Sequence, residues 1–139
     1  MARIPILTVQ PSARLAGLTM QHLVFLRCLR DRYDFHVVIC QNHPMEHEYR
    51  LLAASISTLP SIPFVPRSTN PFRLLRFLRE SFHAASFFQA QAKKHQVQLI
   101  HSFAESIPSV PLAAKLCGLP SVVQVLGMTI FEPWWVGRI

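Results

Sequence analysis

Short apolar runs alternate along this chain with longer stretches of helical period. Ile4–Val9 is apolar and ends at Gln10-Pro11-Ser12, which reads as a buried first strand. A loop leads to Gly17. Between Leu18 and Arg32, Leu18, Leu23, Leu26 and Leu29 keep helical spacing, and Arg27, Arg30 and Arg32 gather near the end, where a helix dipole favours positive charge. Phe35–Cys40 is a second, β-branched strand, and Pro44–Ala54 a short helix with Pro44 near its first turn. Ser57–Val65 offers Leu59, Ile62 and Val65 spaced by prolines, so a third strand there is short and at an edge. Asn70-Pro71 opens the longest helix, Pro71 to about His95. Val97–Phe103 is a fourth strand. Pro108–Cys117 is a helix stopped by Gly118 with Pro120 beyond, and Ser121–Leu126 is a fifth strand. The tail Met128–Ile139 has no clear period.

This order, β-α-β-α-β-α-β-α-β, predicts an α/β fold: a Rossmann-like, doubly wound parallel sheet of about five strands. Crossovers in such sheets are right-handed, and ligands sit outside the carboxyl ends of the strands. The expected ligand edge is therefore the loops Gln10–Gly17, Gln41–Pro44, His101–Ser106 and Gly127–Glu132. No internal repeat or low-complexity tract interrupts the pattern.

Composition narrows the picture. The 139 residues suffice for one domain, and 50% hydrophobic residues can bury a sizeable core. No apolar run reaches the roughly 18 residues that span a bilayer, and the start is not a signal peptide, since Arg3 precedes only a short run broken by Pro5. The expected location is cytoplasmic, with peripheral contact at the inner membrane face allowed. Cys28, Cys40 and Cys117 show no CxxC spacing, which argues for buried, reduced thiols and against disulfides or a zinc ribbon. A net charge of +7 points to anionic partners. The arginines sit inside apolar periodic segments, and no nucleic-acid-binding motif is visible, so nucleic acid is not an expected partner.

The segment Gln98–Gly127 carries a resemblance. A strand with Ile100-His101, a helix with Ala113-Ala114, then Gly118, Pro120, a Val-rich strand and Gly127 is similar to the N-terminal domain of family-four glycosyltransferases. The opening strand and the loop to Gly17 are similar to that family's first strand and glycine-rich loop. The resemblance covers residues 97–127 well and the rest loosely. It implies the acceptor-side half of a retaining GT-B enzyme. A second Rossmann-like domain with a Glu-x7-Glu pattern, which would hold the nucleotide-sugar donor, is not present in residues 1–139 and would come from elsewhere in the protein or from a second subunit. A sugar or lipid-linked acceptor is implied, and no metal or other cofactor. The chain departs from the family at Ala16-Gly17 for two glycines, at Phe103 for a histidine, and at Leu126 for the histidine usually beside the reacting sugar. The last departure argues against ordinary catalysis by this chain alone.

Each candidate carries two readings. Gly17 lets backbone amides approach a phosphate at a helix start, or simply makes a strand-to-helix turn. His101, at the end of the fourth strand, donates to a sugar hydroxyl or phosphate, or is a satisfied, partly buried histidine. Ser102 and Glu105 order acceptor hydroxyls, or belong to a solvated loop; Gly127 closes the same rim. His43-Pro-Met-Glu-His47 matches a zinc-peptidase pattern, but Pro44 places His43 outside the helix and no third ligand follows, so a polar loop is expected. Arg73, Arg76 and Arg79 form a stripe with Glu80, opposite Leu74, Leu75, Leu78 and Phe82. They contact a membrane surface or lipid phosphate, or form the solvated face of a helix packed on the sheet. Phe131-Glu-Pro-Trp-Trp135 lines an acceptor pocket or packs on further structure. The alternative to a glycosyltransferase half is a non-catalytic module that docks on a membrane or partner. A phosphoacceptor domain fits the strand order but lacks the acidic cluster at the strand ends.

Overall fold

The computed structural model describes residues 2–11, 17–66, 69–103 and 107–124. Their order is β1 (Ile4–Gln10), α1 (Gly17–Leu29), β2 (Tyr33–Cys40), α2 (Glu46–Leu52), β3 (Ser55–Leu59), α3 (Pro71–Lys94), β4 (Leu99–Ser102), α4 (Ser109–Cys117) and β5 (Ser121–Val123). The strands form one sheet in the order β3-β2-β1-β4-β5, with every neighbouring pair parallel. This is the expected Rossmann-like fold, with β3 at an edge.

Strand alternation divides the core in two. Leu7, Val9, Val38, Cys40 and Ile100 face α3 and α4, where Phe88, Ala92, Val110 and Ala113 cover them. Ile6, Phe35, Val37 and Ile39 face α1 and α2, under Leu23, Leu26 and Tyr49. Because β1 and β2 are covered on both faces, they read as continuous apolar runs.

Element ends move for identifiable reasons. α1 stops at Leu29 rather than Arg32, because the Arg32 amide turns back to the Leu29 carbonyl and the Arg32 carbonyl accepts from Ile4 at the start of β1. α2 starts at Glu46, after a turn in which the Glu46 amide donates to the His43 carbonyl, and Ala54 already donates to Phe35 of β2. β3 is Ser55–Leu59, upstream of the expected Ser57–Val65; Pro60 and Pro63 have no N–H to continue the ladder. β4 is shorter than expected, and the stretch beyond Gln124 lies outside the described residues. Cys28 is exposed rather than buried, while Cys40 donates to the Pro11 carbonyl; all three thiols are free.

The helix signals held where they were strongest. The Asn70 side chain accepts from the Phe72 amide with Pro71 at the first turn of α3, and Gly118 ends α4 at φ 66°. A Cβ at Gly118 would meet nothing within 4 Å, so only the left-handed backbone opposes a side chain there. Gly118→Ala is expected to cost about 1 kcal/mol, read as a shifted urea midpoint at unchanged slope.

One expectation changes. α3 does not pack on the sheet along its length: its buried residues begin at Ser81, and Phe72, Leu74, Leu75, Leu78 and Phe82 are exposed. The helix has 24 residues, about 36 Å, whereas the strands have 3 to 8 residues. Its first turns therefore overhang the carboxyl edge of the sheet.

Candidate functional site

Connections from β1 run toward β2 and connections from β4 run toward β5, so the winding reverses between the adjacent strands β1 and β4. At such a reversal the loops diverge and leave a crevice at the carboxyl edge. α1 begins after β1 and α4 begins after β4, so two helix N-termini flank it from opposite faces of the sheet, each with amides unsatisfied within its own helix.

The polar interior gathers at this end. Every buried polar side chain among the described residues, except Ser81, lies on the carboxyl halves of β1 and β4 or on the segments that follow β1, β2 and β4. Thr8 and His101 sit opposite each other in the β1–β4 register, both on the α1 face. Thr8 Oγ1 lies 2.9 Å from His101 Nδ1 and 2.9 Å from His22 Nε2, and His22 Nδ1 lies 3.0 Å from the Tyr49 hydroxyl. The His101 ring also hydrogen-bonds the Gln124 side chain. With both imidazoles neutral, the single Thr8 hydroxyl donates to one ring nitrogen and accepts from the other ring.

Burial enforces that neutrality. Desolvation, with repulsion from His101 and His43, lowers His22 to about 3, and desolvation lowers His101 to about 4 despite the Gln124 bond. Burial pushes the Tyr49 hydroxyl well above its ordinary value. Aromatic rings close the surroundings: Phe25 stacks on His101 at 4.9 Å, and Phe103 lies 4.7 Å from His22. His43 accepts from the Met45 amide at 3.1 Å and packs edge-on against Tyr49, whereas His47 is exposed.

Nearer the strand ends, Gln10 donates to Thr19 of α1 at 3.2 Å, but its fully buried carbonyl oxygen Oε1 has no hydrogen-bond partner, and neither does the fully buried Ser109 hydroxyl at the start of α4. A buried polar atom left unpaired costs about 1–3 kcal/mol, so both are places where a ligand hydroxyl or a water would be stabilising. On the α1 face, a mainly apolar trough of about 430 Å³ runs from His101 and Gln124 past Ile6 and Phe25 toward Leu29 and Tyr33 at the amino end of β2.

The sequence candidates fall as follows. Gly17 opens α1 at the β1 side of the crevice, with free space around its missing side chain. His101 and Ser102 end β4 beside it; His101 is 4% exposed, with its ring held by Thr8 and Gln124. Glu105 and Gly127 lie outside the described residues, as does the Phe131–Trp135 stretch. Arg73, Arg76 and Arg79 are elsewhere, on the overhanging turns of α3. Among the described residues no group of three His, Cys, Asp or Glu side chains could hold a metal, and no helix is long and apolar enough to cross a membrane. Sequence reading missed Thr8, Gln10, Thr19, His22 and Gln124. Its one available signal was that Thr8 and Gln10 are polar in an otherwise apolar first strand.

No protein-family model and no curated protein matches this sequence. Solved structures do. The C-terminal domain of the PF1911 hydrogenase from Pyrococcus furiosus superposes with a TM-score of 0.60 at 13% identity, covering 90% of this chain and 94% of that one. A glycosyltransferase from Rickettsia africae gives 0.59 at 15%, covering 88% of this chain and 30% of that one. HepE from Anabaena, solved in complex with UDP and glucose, gives 0.57 at 14%, covering 87% and 29%. At such identities the likeness establishes the fold alone, and this chain spans about three-tenths of the two glycosyltransferases. It has the Rossmann-like fold that recurs in one part of those enzymes.

Proposed function

We propose that this chain is the acceptor-side domain of a GT-B-type glycosyltransferase, of the subfamily-four kind that residues 97–127 resemble. The observation that carries this reading is the concentration of buried polar side chains at the β1–β4 reversal, two of them with an atom still unpaired. Gln10 and Ser109 would hold acceptor hydroxyls, with Gly17 leaving room for close approach. We further assign acceptor-binding roles to Glu105 and Gly127, which follow β4 and β5 in the sequence. The buried His22–Thr8–His101 network adds no charge on the Gln10 side. A nucleotide-sugar donor would be held by a second Rossmann-like domain, in the same protein or in a partner subunit, and sugar would pass in the cleft between the two. The amides of the flanking helix N-termini are suited to stabilising the departing diphosphate. The support from known structures is of fold, together with the occurrence of that fold in enzymes such as the UDP-bound HepE.

Supplied with labelled nucleotide-sugars and an extract of candidate acceptors, the 139-residue chain is expected to transfer no sugar by itself and to gain activity when a Glu-x7-Glu domain is supplied. Transfer by the isolated chain would contradict this division of labour.

A further inference from the structure

The overhanging half of α3 is unlike the rest of the surface. Leu75, Leu78 and Phe82 recur at positions i, i+3 and i+7 and so share one side of the helix. They are 67%, 44% and 60% exposed, and Phe72 in the first turn is 82% exposed. No element of the described structure covers them. Around this ridge the charge is one-sided: Arg73, Arg76 and Arg79 are countered only by Glu80, which pairs with Arg76 at 2.7 Å. Arg76, Arg79, Glu80 and His83 line an open cleft of about 450 Å³ against the Leu59–Ser61 turn that follows β3, and with Glu80 paired to Arg76 the surplus charge there is Arg79. An apolar ridge beside a cleft of net positive charge matches a surface that is apolar inside and anionic at its boundary.

We propose that the N-terminal half of α3 seats this chain on an anionic phospholipid bilayer, Leu75, Leu78 and Phe82 entering the acyl boundary while Arg79 and His83 receive lipid phosphates in the cleft. The net charge of +7 draws the chain to such a surface, and the overhang of α3 lets these turns meet it before the body of the domain does. A second copy of this chain would bring the same arginines against each other, and a zwitterionic bilayer would leave them without counter-charge; neither fits as well.

Vesicle co-sedimentation tests this independently of any sugar chemistry. The chain should pellet with phosphatidylglycerol-containing vesicles, not with pure phosphatidylcholine, and inorganic phosphate at millimolar concentration should not release it. Neutralising two arginines, R73Q with R79Q, should weaken binding about 25-fold, from about fivefold for each charge. L75N with F82N should weaken it at least tenfold. Should the second variant lower the melting temperature, a bimane probe on Leu75→Cys, in a Cys28→Ser, Cys117→Ser background, reads insertion directly as a blue shift on adding anionic vesicles. Absence of pelleting with anionic vesicles at low salt overturns the proposal. So does binding that neither variant changes, a bimane spectrum that does not move, or a dimer that L75N with F82N dissolves while vesicle binding persists.

Discussion

Lowering the pH from 7 to 5 is expected to remove about 4 kcal/mol of stability from this fold, most of it through two side chains. His22 and His101 hold their folded pKa values at about 3 and about 4, against 6.5 in an unfolded chain. Above pH 7 both states are neutral at these rings, and neither ring contributes to the pH dependence. As the pH falls below 6.5 the unfolded chain binds protons that the folded chain refuses, so each histidine costs about 1.4 kcal/mol per pH unit until its folded pKa is reached. Both rings are almost fully buried, so solvent screening reduces this little. His36 and His95 are also lowered, chiefly by desolvation, and act in the same direction. Urea midpoints measured from pH 7.5 to 4.5 should fall steadily below pH 6.5. A midpoint that stays level to pH 5 would mean that these rings are not buried and neutral as described.

Thr8→Val should be the most damaging small change on β1, costing about 2–4 kcal/mol though it preserves shape and strand propensity. Its hydroxyl is the one atom that bridges His22 and His101, so valine leaves a donor on one ring and an acceptor on the other without partners inside a dry core. Thr8→Ser keeps the hydroxyl and should recover most of the loss, which separates the hydrogen bonds from packing. Equal loss in Ser and Val variants would assign the effect to the methyl group instead.

The fold was legible because its signals are local. Uninterrupted β-branched runs mark strands covered on both faces, and Asn70-Pro71 and Gly118 mark helix ends through chemistry confined to one turn. The site was legible only in part. Gly17, His101 and Ser102 stood out by position, but Thr8 meets His101 across 93 residues through the β1–β4 pairing, and helix α1 brings His22 down on both. No periodicity encodes that meeting. The arginine stripe on α3 was visible as a pattern. Whether its apolar partner side is covered depends on how far the helix outruns the sheet, and the sequence does not state that length.

The reading of the crevice rests on Gln10 and Ser109 as unpaired groups awaiting hydroxyls. Amide chemical-shift mapping of the isotope-labelled chain, titrated with sugar acceptors, tests this most directly. The account predicts that the perturbed amides cluster at Gln10, Gly17, Thr19, Ser102 and Ser109, and that Ser109→Ala weakens binding without lowering stability. Perturbations gathered instead at the opposite edge, around Arg3, Arg32 and Gln98, or a saturable sugar titration that leaves the crevice amides unmoved, would contradict it.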